Sequence, residues 1–373
     1  MPDFGPQVTA LAQDLVRIDS RSARSNLPVA ERVEAALAGF AVERLDYTDA
    51  AGVAKRALVA RKGRGAGGLA LSGHMDTVPD TGWQDDPWSA RIEGGVLHGL
   101  GSADMKGQVA ACITAARHLP ESVPVMLLIT TDEETTKAGA KLVAAKSELV
   151  RAHPPAAILA AEPTGMVPVR GHRSAIGFVA VARGVQAHSA SGRGRNANWD
   201  MAPFLMEMRA IHDRLRGDPA LHDSGYDPVF SDFNLIIDNH GAPVNMTVPV
   251  ATVRIKFRYS ARIDPTPIRE AVRAAATRCG IELTELPEGR PPELPADHPL
   301  IRMAVKVTGR AAVTVPYGTD ASELQAIAPC VILGPGDIAV AHTPVERIAL
   351  AELAGAVPVF MRLAEAVATI PNE

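Results

Sequence analysis

The sequence predicts an α/β protein, a sheet covered by helices, with a second α+β unit inserted into it. Three observations carry that reading. Apolar runs of four to seven residues, bounded by Gly and Pro, alternate with longer segments of helical period. From about residue 174 to 290 the texture changes: SAIGFVAVARG, FNLIIDN and ATVRIKFRYSARI alternate apolar and polar residues, as strands with one wet face do. Finally, 373 residues are more than one hydrophobic core usually organises, so two domains are expected.

The opening MPDFGPQVTALAQDLVRI has an early acid and no basic residue before its apolar face, so it reads as an amphipathic helix and not a secretory signal. Strands are expected at 57–62, 68–74, 124–131, 156–160, 312–315 and 330–333, where short apolar runs end in Gly, Pro or polar clusters. Helices are expected at Met105–His118, Thr135–Lys146 and Ala349–Ala366. Within the inserted unit, Asn198–Arg216 and Pro265–Arg278 have helical period, and the proline-rich LPEGRPPELPADHP, 286–299, reads as the linker back to the first domain. The domains are therefore 1–173 with 290–373, and 174–289.

Composition narrows the function classes. With 38 basic and 42 acidic residues and a net charge of -4, the chain has no field to gather nucleic acid or an anionic membrane. Its longest strongly apolar run, VPVMLLI, falls far short of the roughly 20 residues needed to span a bilayer. Cys112, Cys279 and Cys330 are odd in number and lack CxxC spacing, which argues against a disulfide framework or a thiolate metal site and for the cytoplasm. The expected partner is a small molecule.

Chemistry-bearing residues gather at strand ends. In LSGHMDTVP, His74 and Asp76 are two apart and share one strand face, at the carboxyl end where open α/β sheets keep their ligand sites. The pair suits either metal binding or an ordinary strand-end hydrogen bond. In GLGSADMKGQVAA, Asp104 stands among glycines just before a helix, as a ligand or an N-cap would. Lys106 reads as a solvated charge at the helix start, since the glycines lack P-loop spacing. A strand in LLITTDEETT ends in Asp132, Glu133 and Glu134, three carboxylates that either cluster round a cation or form a solvated acidic turn at a helix N-terminus. Adjacent glutamates point differently, so one can hold metal while its neighbour faces the attacking water. Glu162 ends another strand in ILAAEPTG, and His342 sits in the loop ILGPGDIAVAHTPVE. Singly these two read as a surface carboxylate and a loop histidine; together the set is a mixed N/O donor group suited to Zn, Co or Mn.

The strings SGHMDTVP, GSADMKG, DEE, AEPT, RGVQAHSA, GTDA and GPGDIAVAHTP, in this order, resemble the dinuclear-zinc aminoacylase and carboxypeptidase family, the M20-type metallopeptidases. The resemblance implies a catalytic, metal-binding domain with a mixed central sheet flanked by helices, formed by 1–173 and 290–373, and an inserted lid and dimerisation domain, 174–289, in a homodimer. It makes His74, Asp104 and Glu162 ligands of one divalent ion and Asp104, Glu134 and His342 ligands of a second, zinc first and cobalt as the alternative. Asp76 would orient the His74 ring, and Glu133 would be the general base. His188 would stabilise the oxyanion in its own or the partner subunit's site. The Asp104–Met105 peptide bond would be cis. Asn245, Arg258 and Gly318 match substrate-binding positions, although an Arg on an alternating strand also fits its wet face.

PYGTDASEL followed by LGPGDIAVAHTP resembles the acetylornithine deacetylase branch, which implies an amidohydrolase that removes acetyl from N-acetylornithine in arginine synthesis. Asp320, Leu100 and Gln108 depart from the residues usual in that branch: Glu, Arg and Gly respectively. N-acetylcitrulline, N-succinyl-diaminopimelate and dipeptides therefore stay open as substrates.

Overall fold

The structure is a computed structural model that describes residues 3–369. The chain divides into two compact units. The first takes the chain up to Gly171, then Pro292–Val313 and everything from Thr319; the second takes His172–Pro291 and Thr314–Gly318.

An eight-stranded mixed sheet runs in the order Ala41–Thr48, Ala54–Lys62, Val125–Thr130, Leu69–His74, Ala157–Ala160, Cys330–Ile332, Val169–His172 and Val313–Val315. The four strands from Val125–Thr130 to Cys330–Ile332 are mutually parallel. They are buried along their whole length, which is why they read as unbroken apolar runs. Helices Gly5–Val16, Lys106–His118 and Leu350–Val367 pack against one another over the sheet, with Leu15, Val109, Ile113, Leu353 and Phe360 fully buried. A three-stranded sheet, Arg347–Ala349, Val96–His98 and Arg91–Glu93, also belongs to this unit.

Two expectations need correction here. The helix expected from Thr135 begins at Ala138. Lys137 is left-handed at φ 54°, and the amides of Thr135, Thr136 and Lys137 all donate to the Asp132 carbonyl, so the first turn closes on that oxygen instead of helically. Lys106 is not solvated: it is 0% exposed, and its Nζ donates to the Ile18 carbonyl at 2.9 Å and lies 5.1 Å from the Trp88 ring centre. Burial pushes its ammonium down to about 7. Every residue from Lys106 to Ala116 is buried, so until its last turn this helix has no wet position for a charge.

The second unit is a four-stranded antiparallel sheet, Asp232–Asp238, Val250–Tyr259, Ser174–Arg183 and Glu282–Pro287. Helices Ala197–Gly217 and Thr266–Cys279 supply Phe204, Met208 and Val272 to a core with Phe178 and Phe257. The last strand falls partly in what the sequence reads as a linker. Its mostly wet residues give no apolar signal, and Glu285 anchors it by accepting hydrogen bonds from Arg269 and Arg273.

Burial raises the Glu285 carboxyl, but its hydrogen bonds to Arg273 and Arg269 outweigh that and lower it from its ordinary value of 4.5. A carboxyl depressed in the fold stabilises the protein above its unfolded pKa, and that contribution is lost as pH falls through the folded value. The urea midpoint of Glu285→Gln should thus lie below that of the parent at pH 7, and the gap should close as pH drops below about 4. A pH-independent gap would assign the effect to packing.

Candidate active site

The four parallel strands deliver the polar residues from their carboxyl ends. Leu69–His74 ends in His74, Val125–Thr130 runs into Asp132–Glu134, Ala157–Ala160 into Glu162, and Cys330–Ile332 into the loop that carries His342. Asp104 stands at the entry to helix Lys106–His118, and the Asp104–Met105 peptide is cis.

Two triads result. The donor atoms of His74, Asp104 and Glu162 lie within 4.8 Å of one another, and so do those of Asp104, Glu134 and His342. Asp104 belongs to both. Its Oδ1 is 3.1 Å from His74 Nε2 and its Oδ2 3.2 Å from His342 Nε2, which is also 3.0 Å from Glu134 Oε1. His74 Nδ1 is 3.0 Å from the Asp76 backbone carbonyl, an oxygen that can only accept. The Nδ1 proton therefore donates there, and Nε2 turns its lone pair toward Asp104. Two acceptors at that separation require a proton or a metal cation between them.

The carboxyls state the same need. Burial would raise Asp104, yet the His342 and His74 rings beside it hold it well below the carboxylate range. Burial and the neighbouring Asp104 charge push Glu134 up to about 7 and hold Glu162 well above the usual carboxylate range. Burial also raises Glu133, against the pull of Lys137, and burial with Glu133 pushes Asp320 up to about 7. Carboxyls this crowded ionise together only when cations compensate them. Imidazole and carboxylate donors of this kind fit divalent zinc or cobalt.

Asp76 is placed differently from expectation. Its backbone carbonyl, not its carboxylate, makes the close contact with the His74 ring; the carboxylate is 3.6 Å away. That carboxylate instead accepts from the amides of Glu133 at 3.2 Å and Glu134 at 3.3 Å, and from Ser22 Oγ at 2.7 Å. It holds the loop that presents the two glutamates. Asp132, the first acid of that run, points away to Lys55 Nζ at 2.9 Å and Tyr47 Oη at 2.7 Å. Lys55 is fully buried and also donates to the carbonyls of Ser22 and Arg24, tying the Ser22 and Asp132 loops together.

Sequence reading missed Lys55, Tyr47 and Ser22. One signal was present: Lys55 shares the face of Ala57 and Val59 in its strand, where a lysine implies a buried partner. Lys137, also missed, donates to the Thr319 carbonyl and Ser322 Oγ, and its Nζ lies 3.9 Å from Glu133 Oε1.

The remaining expected site residues lie in the second unit. His188 is exposed, and its Nδ1 accepts from the Ala190 amide at 3.2 Å, which leaves the proton on Nε2. The Asn245 carbonyl accepts from the neighbouring Ser189 amide at 2.9 Å. Arg258 Nη1 pairs with Asp232 at 2.7 Å, and Gly318 closes the segment Thr314–Gly318.

Fold and site together define a protein with a candidate metal centre. The model of peptidase family M20/M25/M40 matches residues 70–366, and the chain belongs to that family. It is 33% identical over 305 residues to an acetylornithine deacetylase from Erwinia tasmaniensis, covering 78% of each chain. Among solved structures, it superposes on the di-peptidase Dug1p of Saccharomyces cerevisiae with TM-score 0.80 at 13% identity, over 99% of this chain and 97% of that one. It also matches the metallo-carboxypeptidase Sso-CP2 of Sulfolobus solfataricus, with TM-score 0.75 at 18% identity, over 98% and 100% of the two chains.

Because Lys55 is the buried counter-charge of Asp132, Lys55→Met should cost about 3–5 kcal/mol by urea unfolding, the range for stranding a buried charge. A loss below about 1 kcal/mol, the range of an exposed pair, would show that Asp132 finds another partner.

Proposed function

We propose that this protein is a metal-dependent amidohydrolase that removes the acetyl group from an N-acetyl amino acid, N-acetylornithine first, in the cytoplasmic synthesis of arginine. The observation that carries the reading is the pair of histidine–carboxylate triads that share Asp104, with Glu133 beside them. The relative from Erwinia tasmaniensis supports the choice of acyl group and amine. N-acetylcitrulline and N-succinyl-diaminopimelate remain rival substrates. So do dipeptides, favoured by the dipeptidase among the solved structures.

His74, Asp104 and Glu162 would hold one divalent ion and Asp104, Glu134 and His342 the other, zinc first; when bound, the ions polarise the scissile carbonyl and make water a stronger acid. Glu133 takes the proton of the attacking water as its oxygen bonds to the carbonyl carbon. Lys137, held by Thr319 and Ser322, keeps a positive charge beside the base. The carbonyl oxygen becomes anionic, and His188 is assigned to meet it with the proton on Nε2. Glu133 then returns its proton to the amine nitrogen as the C–N bond breaks, giving acetate and a free amino group. Asp76 keeps Glu133 and Glu134 apart by holding their amides with separate carboxylate oxygens. Asn245, Arg258 and Gly318 are assigned to the substrate.

The test is a panel of N-acetylornithine, N-acetylcitrulline, N-succinyl-diaminopimelate and dipeptides, with metal analysis and chelator. N-acetylornithine should have the highest kcat/KM, and chelation should abolish turnover. Glu133→Ala should keep its metal and lose about 100- to 10,000-fold in kcat. A near-normal kcat in that variant would remove Glu133 from the mechanism, and a preference for dipeptides would replace the deacetylase reading with a peptidase one.

We also propose a homodimer formed through the second unit. Trp199 and Met206 on helix Ala197–Gly217, with Ile236 and Ile237 on the edge strand Asp232–Asp238, expose large apolar side chains. An unpaired strand edge and apolar surface are what a partner copy would cover. Sedimentation should show a dimer that Trp199→Asp with Ile237→Lys converts to monomer; a monomeric parent protein would refute it.

A further inference from the structure

The loop that carries Asp104 closes on itself at Ser102 and Lys106, whose amides donate to the Gly99 and Gly101 carbonyls, but the amides of Ala103 and Asp104 donate outside it. Gly99 and Gly101 lie at φ 147° and 85°, and a Cβ at Gly101 would stand 2.4 Å from Lys106 Cε. Two distant side chains grip the Ala103–Asp104 backbone instead. Glu346, 1% exposed, accepts the Ala103 amide at 2.9 Å and the Asp104 amide at 3.0 Å on a single oxygen, Oε1. Gln108, 0% exposed, donates from Nε2 to the Ala103 carbonyl at 2.5 Å and to the Pro335 carbonyl at 2.8 Å. Both grips reach the returning segment that carries His342, because Glu346 is four residues beyond that histidine and Pro335 seven before it.

The arrangement has a cost. Glu346 Oε2 and Gln108 Oε1 are buried with no hydrogen-bond partner among the described residues. An unpaired buried oxygen is unfavourable, so a fold that retains two of them gains something at the loop they hold. What they fix is the position of Asp104 relative to His342. Asp104 must present one oxygen to His74 and the other to His342, and its side chain has only two torsions with which to correct a displaced backbone.

We propose that Glu346, with Gln108 as its helper, is the positioning residue for the shared ligand: it locks the Asp104 backbone to the His342 loop so that one carboxylate serves both triads. This rests on Asp104 being a metal ligand, as in the function proposed above. Glu346 touches neither substrate nor ion, and it acts through the backbone. What it must supply is one acceptor oxygen for two amides, which the Gln side-chain carbonyl can equally provide.

The experiment titrates the metal-free full-length protein with zinc against a chromophoric chelator, and records the melting temperature of the metal-free form in parallel. The parent protein should bind two ions. Glu346→Ala should weaken both about 10- to 100-fold, the usual effect of removing a partner that orients a ligand, whereas Glu346→Gln should stay within about threefold of the parent. Gln108→Leu should show a smaller loss in the same direction. If Glu346→Ala does not fold, Glu346→Asp, whose shorter reach stretches both hydrogen bonds, should show the loss instead. Should the alanine or aspartate variant lose melting temperature but keep both zinc affinities, Glu346 is a packing residue and the proposal is overturned. Equal loss in Glu346→Gln and Glu346→Ala would overturn it too, because charge and not an acceptor would then matter. A parent protein that binds no zinc, or an Asp104→Asn variant that binds it normally, would instead overturn the metal-centre reading itself.

Discussion

The structure depends on one electrostatic constraint: Asp104, Glu133, Glu134, Glu162 and Asp320 approach one another in a largely buried cleft. Such a group disperses unless positive charge lies among its members. The protein supplies part of that charge permanently. Lys137 stands beside Glu133, and Lys55 draws Asp132 out of the group altogether. The donor geometry leaves the remainder to divalent cations. Four parallel strands are the framework that makes such crowding tolerable, since their ends are fixed by a core of Leu, Val and Ile side chains that is insensitive to the charges above it.

The run Asp132–Glu134 shows how the framework distinguishes neighbours of nearly identical chemistry. Asp132 is left-handed at φ 62°, and its carbonyl gathers three amides of the turn that follows. The bend directs its carboxylate to Lys55 and Tyr47, while Glu133 and Glu134 remain over the site. Asp76 completes the sorting, because each of its oxygens takes the amide of one glutamate. A residue that the sequence suggests as an aid to a histidine thus serves His74 with its carbonyl and the two glutamates with its carboxylate.

Much of the site was legible in the sequence, for a physical reason. His74, the acidic run and Glu162 each follow a short apolar run, and a polar residue at the end of a buried strand has few bland explanations once several occur in order. The residues that hold these groups were not legible. Glu346 reaches the Asp104 amide across 242 positions and Gln108 reaches Pro335 across 227, and no local pattern encodes such a pairing. Lys106 departs from expectation because a charge at a helix start is usually wet; here the distant Ile18 carbonyl and Trp88 ring receive its ammonium inside the fold. The strand Glu282–Pro287 escaped notice because edge strands need not be apolar.

The order in which the first unit is assembled has a further consequence. Its sheet is interrupted by the whole second unit, and it receives the strand Cys330–Ile332, His342, Glu346 and the closing helix Leu350–Val367 only from the last stretch of chain. During synthesis, His74, Asp104, Glu134 and Glu162 all emerge while the histidine of the second triad and much of the helical cover are still unmade. The growing chain therefore carries an unfinished acidic cleft from Glu162 until His342 is added, and the uninterrupted stretch His172–Pro291 becomes available to fold as a unit before then. The second histidine–carboxylate triad is complete only once the segment that carries His342 has been made.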